Sequence, residues 1–275
     1  MASGSAMLIA QILLPDASWF DRKSQALDAA MLAGRRDVIL TTFEGAVRAG
    51  AAIAHVYGPA GFTLPSGFGI PYVAAGPPRR RRFAWREPVA PRAIVSPLDN
   101  LPEAVDETYF DPRAGGDASP SRTPKVVGAF GRHRAGVLSM VELTLARIHR
   151  FRDDVDWLLF DRAPTPADLS LVDAWVDPAI SEEDYDGFVA EASVAGKVVV
   201  ASRVAINVKR LDKGMSGFLV PPRDPNELAH AILAALFKSE VALKKIEAAR
   251  QTAGKFRARQ RLRLLEKIYD AVLTP

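Results

Sequence analysis

Two glutamates eight residues apart, Glu183 and Glu191, are the side chains of this sequence best placed to hold a polar ligand. Glu183 follows Asp177-Pro178, a pair typical of a loop, whereas Glu191 lies in a stretch with apolar residues at helical spacing that ends at Gly196. A helix amino terminus favours phosphate, and carboxylates accept hydrogen bonds from hydroxyl groups. The spacing alone is ordinary for a charged surface, so two solvated side chains remain the alternative.

A basic loop bounded by glycines offers a second set of candidate residues. Its sequence, Gly131-Arg-His-Arg-Ala-Gly136, follows a predicted strand at 125–130 and precedes a predicted helix at 137–150. Glycine lets a backbone approach phosphate closely, and arginine neutralises a diphosphate. Arg132 and Arg134 are therefore candidate diphosphate ligands, with a surface ion pair as the alternative for each.

The elements that must position these residues alternate between strand and helix along the whole chain. The apolar patterns predict strands at 7–14, 37–42, 70–74, 125–130, 156–160 and 197–201. They predict helices at 25–32, 44–53, 137–150, 187–195, 241–253 and 258–273, and one that starts at Pro225 after the capping residue Asp224. This alternation indicates an α/β fold with parallel sheets.

Length and composition suit two small domains. The chain has 275 residues, of which 48% are hydrophobic. The segment Ala114–Pro124 has the composition of a flexible connector. We therefore expect a reduced N-terminal α/β domain over 1–113, a linker over 114–124 and a C-terminal domain over 125–275, whose last helix packs back on the N-terminal domain or covers its own sheet.

Composition also limits the compartment and the partners. The sequence contains no cysteine, which excludes disulfides and thiolate metal sites and favours the cytoplasm. A net charge of +4 favours anionic partners, but no nucleic-acid-binding module is recognisable, so we expect no nucleic acid. The basic run Arg79–Arg82, followed by Phe83 and Trp85, is either a solvated loop or a functional patch. Such a patch docks on the inner face of an anionic membrane or contacts a charged acceptor.

Four segments, taken in order, resemble the donor-site half of retaining glycosyltransferases of the GT-B fold, family four. These segments are Glu183-x7-Glu191-Ala192, Gly196-Lys-Val-Val-Val-Ala-Ser202, Gly214-Met-Ser-Gly-Phe-Leu-Val-Pro-Pro222, and Asp224-Pro225 with Leu228-Ala229. The resemblance implies a GT-B-like α/β fold, with two Rossmann-like domains facing across a cleft and the N-terminal, acceptor-side domain reduced. It also implies a sugar donor activated by a nucleoside diphosphate, bound by the C-terminal domain, and an acceptor that is a glycan, a lipid or a small molecule.

The same resemblance assigns roles to individual residues. By the family's pattern, Glu191 holds the ribose, and Glu183 with nearby backbone amides holds the sugar hydroxyls, while Arg132 and Arg134 stabilise the diphosphate. The catalytic positions are then Glu183 and Arg132. The substrate-binding positions are Glu191, Arg134, Gly131, Asp186, Gly187 and Phe188. We expect no metal and no cofactor besides the nucleotide sugar, which is a co-substrate.

Three departures from the family's pattern keep a second function open. The turn Pro15–Phe20 lacks paired glycines, the segment 161–176 is shorter than the family's base-binding segment, and Arg203–Lys209 replaces a loop that carries a glycine pair. His55, the histidine of residues 1–113, has surroundings more typical of a structural role. The alternative is a catalytically silent GT-B-like binding or scaffold protein. A sugar-nucleotide epimerase is a weaker third idea, because no matching catalytic residue set is present.

Overall fold

A computed structural model describes residues 8–17, 19–33, 35–58, 65, 68–74, 93–94, 103–111, 123–131, 135–181 and 188–273. The strands are β1 Leu8–Leu13, β2 Asp37–Thr41, β3 Ile53–Tyr57, β4 Tyr72–Ala74, β5 Ala93–Ile94, β6 Lys125–Phe130, β7 Val155–Phe160, β8 Ala174–Asp177, β9 Val198–Ser202 and β10 Phe218–Val220. The helices are α1 Trp19–Leu32, α2 Phe43–Arg48, α3 Ala135–Ile148, α4 Pro166–Ser170, α5 Phe188–Val194, α6 Ala205–Arg210, α7 Pro225–Phe237, α8 Ser239–Thr252 and α9 Ala258–Leu273. Short 3₁₀ turns lie at Glu107–Phe110, Asp212–Gly214 and Ala253–Phe256.

The chain divides into two compact units. Unit 1 comprises Met1–Ala104 together with Phe256–Pro275, and unit 2 comprises Val105–Lys255. These bounds differ from the predicted division at 113 and 125, because the 3₁₀ turn Glu107–Phe110 packs on α5 of unit 2 and α9 packs on α1 of unit 1. Most of the predicted linker, and Arg79–Arg82, lie outside the described residues.

Unit 1 is built on a parallel sheet with the strand order β2-β1-β3-β4-β5. Alternate residues of β1 face opposite sides of the sheet. Ala10 and Ile12 pack in a cluster with Ala46 of α2, and Ile9 packs with Leu32 of α1 and with the apolar face of α9. Helices therefore cover both faces of the sheet, which explains why its central strands read as continuous apolar runs.

In unit 1, the helix α2 and the strand β3 differ from the prediction. The helix expected over 44–53 ends at Arg48, and Ile53–Tyr57 forms a buried strand between β1 and β4. Gly50 has φ +67, a conformation that favours glycine, and it lies in the turn between them. His55 therefore lies in a sheet strand.

Unit 2 is built on a second parallel sheet, with the order β10-β9-β8-β6-β7. Its core includes Val127, Val176 and Val200 from three neighbouring strands and Leu228 and Ile232 from α7. The side chain of Asp224 accepts hydrogen bonds from the backbone N–H groups of Asn226 and Glu227, at 3.0 and 3.1 Å, which caps α7 where the sequence predicted a helix start. The two parallel sheets confirm the predicted α/β class.

Over the described ranges, every helix is too short or too polar to cross a lipid bilayer.

Candidate functional site

The strand order of unit 2 places a crevice at the carboxyl end of β6. From β6 the chain passes to β7 on one side, and it then returns to β8 on the other side, so β6 lies between them. In open parallel sheets, ligands bind outside the carboxyl ends of the strands at the point where the order reverses in this way. The residues that follow β6, β7 and β8 are therefore the candidate site.

Gly131 follows β6 directly and begins the predicted phosphate loop. Its φ of 106° is a backbone conformation that favours glycine, and its N–H donates to the carbonyl of Phe160 at 3.2 Å. The helix α3 begins soon after, at Ala135. A Cβ on Gly136 would lie 2.9 Å from Cδ1 of Ile180, so glycine there lets the segment after β8 lie against the start of α3. Arg132 and Arg134 lie outside the described residues.

Glu191 lies in the first turn of α5, the helix that follows β8, and is only 1% exposed. The ring of Phe188 lies 4.9 Å from that of Phe130 and 6.1 Å from that of Trp175, measured between ring centres. Phe188 thus anchors the start of α5 beside the end of β6. Its side chain belongs to the core, so any contact of Phe188 with a ligand is through the backbone. Glu183, Asp186 and Gly187 lie outside the described residues.

The segment Arg203–Lys209, which the sequence marks as a departure from the glycosyltransferase pattern, is mostly helical. It forms α6, where Asn207 is fully buried. The Asn207 amide donates to Oδ2 of Asp177 at 2.7 Å and to the carbonyl of Ser202 at 3.1 Å. These bonds tie the carboxyl ends of β8 and β9 to the helix.

The loop after β7 is short but strongly fixed. Thr165 caps α4 through a reciprocal pair of hydrogen bonds with Asp168. Arg162 donates to both carboxylate oxygens of Asp168, at 2.7 and 3.0 Å. The hydrogen bond from Arg162 is the main reason that the pKa of Asp168 is lowered to about 2. This loop lies where the family's longer base-binding segment is expected.

Sequence reasoning missed one residue of this edge, Tyr109. The 3₁₀ turn Glu107–Phe110 contacts α5, and the Tyr109 hydroxyl donates to the carbonyl of Pro164 at 2.5 Å. Burial raises the pKa of Tyr109, and the negative charge of Glu191 raises it further. Nothing in the local sequence marks Tyr109, because its partner lies 55 residues away along the chain.

Within the ranges given above, no three His, Cys, Asp or Glu side chains are grouped closely enough to bind a metal ion together.

Comparison with known proteins finds a family model that matches part of the chain. Residues 126–237 match the family model of group 1 glycosyl transferases. The matched stretch contains Gly131 and Glu191, and it runs from β6 to the end of α7. No curated protein sequence matches the chain significantly.

Solved structures match over nearly the whole chain. A glycosyltransferase from Rickettsia africae has a TM-score of 0.67 and 14% sequence identity, over 98% of this chain and 99% of that one. A sucrose-phosphate synthase from Thermosynechococcus elongatus has a TM-score of 0.67 and 15% identity, over 96% of this chain and 98% of that one. The Anabaena protein HepE, in complex with UDP and glucose, has a TM-score of 0.58 and 14% identity, over 95% of this chain and 99% of that one. At these identities the likeness establishes the GT-B fold.

Proposed function

We propose that this protein is a retaining glycosyltransferase that transfers a sugar from a nucleoside-diphosphate sugar to an acceptor. The observation that carries the proposal is the carboxyl edge of the unit 2 sheet. Gly131 and Glu191, two residues expected to hold the diphosphate and the ribose, follow the neighbouring strands β6 and β8 there. Both residues lie within the stretch that matches group 1 glycosyl transferases.

The proposed roles follow the charge that develops during transfer. As the bond between sugar and diphosphate breaks, negative charge accumulates on the leaving group, and cationic groups fixed beside it lower the barrier most. Arg132 and Arg134 take this role, next to the backbone of Gly131. Glu191 binds the ribose hydroxyls. Glu183, with the backbone of Asp186, Gly187 and Phe188, binds the sugar.

The acceptor attacks from the face that the leaving group vacates, so the sugar keeps its anomeric configuration. Charge stabilisation by arginine makes a metal ion unnecessary in this proposal, and the nucleotide sugar is the only other small molecule required. The acceptor is a glycan, a lipid or a small molecule. A cytoplasmic protein that touches the inner membrane face through Arg79–Arg82 would meet lipid acceptors there.

Nucleotide binding is the first test. Purified protein is titrated calorimetrically with UDP, GDP, TDP and ADP, and thermal shifts are recorded in parallel, because a ligand that binds the folded state stabilises it by mass action. We expect one diphosphate to bind, and Glu191→Gln to weaken it at least tenfold. Glu240→Gln is the matched control, since Glu240 is 82% exposed on α8 and pairs only with Lys244 among the contacts described. If the unaltered protein binds none of these four diphosphates, the proposal is contradicted.

Turnover and stereochemistry are measured next. The diphosphate that binds identifies the sugar nucleotides to assay, and NMR of the product's anomeric proton distinguishes retention from inversion. Retention supports the proposed mechanism, and inversion refutes it.

The second candidate, a catalytically silent binding or scaffold protein, is favoured by α6. Where the family has a glycine pair beside the sugar, this chain has Ala205 and Ile206, which begin the helix α6. Asn207 of the same helix donates a hydrogen bond to Asp177. Glu183→Ala and Arg132→Ala separate the two candidates. An enzyme loses turnover while it remains folded, whereas a scaffold shows no turnover to lose and changes only in ligand affinity.

A further inference from the structure

The 3₁₀ turn Glu107–Phe110, called the bridging turn below, joins two loops of the carboxyl edge in unit 2. It contacts α5, which follows β8, and Tyr109 donates to the carbonyl of Pro164, which follows β7. Because β6 lies between β7 and β8, a segment that touches both sides spans the position of β6. Gly131 begins the predicted phosphate loop there. The bridging turn therefore stands beside the crevice in which the nucleotide is proposed to bind.

The Tyr109 hydroxyl lies near three carboxylates. Its environment includes the carboxylates of Glu191, Asp106 and Asp168, all close enough to raise the pKa of its hydroxyl, and Glu191 has the largest effect of the three. Its side chain is partly exposed, whereas Glu191 is almost fully buried. Tyr109 therefore lies near Glu191 and, unlike Glu191, is within reach of a ligand that approaches from solvent.

The ring is held in place by a rigid partner. Pro164 immediately precedes Thr165, the capping residue of α4, and the backbone N–H of Thr165 donates a hydrogen bond to Asp168. Asp168 is fixed in turn by Arg162. Because the Tyr109 hydroxyl donates a hydrogen bond to this loop, at 2.5 Å, the aromatic ring has little freedom to move. An aromatic surface that is already ordered loses little entropy when a flat ligand packs on it.

The nucleoside part of the donor supplies such a flat group. When the ribose is held by Glu191 and the diphosphate extends towards Gly131, the base projects from the other side of the ribose. Bases pack on aromatic side chains with little dependence on their identity. The loop after β7 is too short to supply the family's base-binding segment, and the bridging turn lies against that loop.

We propose that Tyr109 is a nucleobase-binding residue of the donor site, with its ring packed against the base. This inference rests on the proposed function, because it requires a nucleotide held by Glu191. It adds a residue from outside the matched stretch 126–237. It also explains how a chain with a shortened base-binding segment can still hold a nucleotide.

The test compares a ligand that has a base with one that lacks it. UDP, or whichever of UDP, GDP, TDP and ADP binds the full-length protein most tightly, is titrated calorimetrically beside ribose 5-diphosphate. We expect Tyr109→Ala to weaken the nucleotide at least tenfold and to leave the affinity for ribose 5-diphosphate unchanged. Tyr109→Phe keeps the ring and should stay within threefold of the original affinity. Phe151→Ala is the matched control, because Phe151 is 77% exposed beyond the end of α3, at the opposite edge of the sheet.

The outcomes separate this inference from the proposed function. If the unaltered protein binds no nucleotide, both fail. If it binds and Tyr109→Ala binds equally well, the inference alone fails. Equal losses for the two ligands, or a loss in Tyr109→Phe as large as in Tyr109→Ala, also overturn it, since either result assigns Tyr109 a structural role through Pro164. Circular dichroism verifies folding, and Tyr109→Leu, which keeps bulk but not aromaticity, replaces the alanine variant if that variant does not fold.

Discussion

Asp28 and Arg261 form an ion pair excluded from solvent inside unit 1. Their side chains are 0% and 4% exposed, and the guanidinium donates to both carboxylate oxygens, at 2.5 and 2.6 Å. Removal of one partner leaves a buried charge uncompensated, at a cost of roughly 3–5 kcal/mol. We therefore expect Arg261→Met to lower the free energy of unfolding by about that amount in urea denaturation.

The neighbouring Arg263 supplies the control for this pair. It is exposed on the same helix, so Arg263→Met should change the free energy of unfolding by less than ~0.5 kcal/mol. The double variant Asp28→Leu with Arg261→Met removes both charges and should recover part of the loss. An Arg261→Met protein as stable as the original would show that the buried pair contributes nothing to stability.

His55 makes the stability of unit 1 depend on pH. Its Nδ1 lies 2.8 Å from the Tyr269 hydroxyl and 3.0 Å from the Tyr57 hydroxyl. Burial lowers its pKa from 6.5 to about 4; the Asp28 carboxylate opposes this shift, and the Arg261 charge adds to it. The folded state therefore holds a neutral ring, whereas the unfolded chain binds a proton once the pH falls below about 6.5.

The sign of the effect follows from this difference in proton binding. Because the unfolded state binds more protons, stability falls as the pH drops from about 6.5 to about 4, by ~3 kcal/mol from this group. We expect His55→Gln to show a flatter decline over that range in urea denaturation. His230→Gln, which changes an exposed histidine on α7, should keep the original decline. Parallel curves for His55→Gln and the original protein would refute the assignment.

At the scale of elements, α9 stabilises unit 1 through one apolar face. Leu262, Leu265, Tyr269 and Val272 pack with Ile9, Ile53 and Val73 of the sheet. Leu265→Ala removes a fully buried side chain and should cost about 2–5 kcal/mol in the free energy of unfolding. Leu264 is 37% exposed, so Leu264→Ala should cost clearly less. Equal losses in urea denaturation would contradict the assignment of the buried face.

The same helix shows what a sequence pattern can predict. Its spacing of apolar residues predicted 258–273, and the structure has α9 at Ala258–Leu273, because an amphipathic pattern at a surface has few other interpretations. The strand β3 was missed. Its residues are buried on both faces, and a short apolar run of that kind reads equally well as part of a buried helix.

In the candidate site too, some features could be predicted from the sequence and others could not. Gly131 and Glu191 were proposed because a glycine-bounded loop and a helix start leave local signals in the sequence, and their role in binding stays a prediction. The helix α6 was not predicted: its capping residue, Val204, provides no side-chain hydrogen bond, and contacts such as that of Asn207 with Asp177 hold it. Tyr109 was also missed, because its position at this edge depends on packing between distant segments. Contacts of that kind are set by the tertiary fold, which local propensity does not encode.

At the scale of the whole molecule, one unit is formed by a single stretch of the chain and the other by two separate stretches. Unit 2 is the continuous stretch Val105–Lys255, with its own sheet and core. Unit 1 needs both ends of the chain, because the apolar face of α9 covers β1, β3 and β4. The sequence indicated that the last helix packs either on the N-terminal domain or on its own sheet, and the structure places it in unit 1.

This difference predicts how fragments of the protein behave. A fragment of residues 105–255 keeps its sheet and helices and should unfold cooperatively in urea. Residues 1–104 alone expose Ile9, Ile53 and Val73, which α9 covers in the intact protein, and should show no cooperative transition. Joining residues 256–275 to residue 104 through a flexible linker of ~15 glycine and serine residues should restore that transition. The same fusion carrying Leu265→Asp is the control and should remain unfolded, because it places a charge in the apolar contact. Cooperative unfolding of residues 1–104 by themselves would show that unit 1 folds without α9.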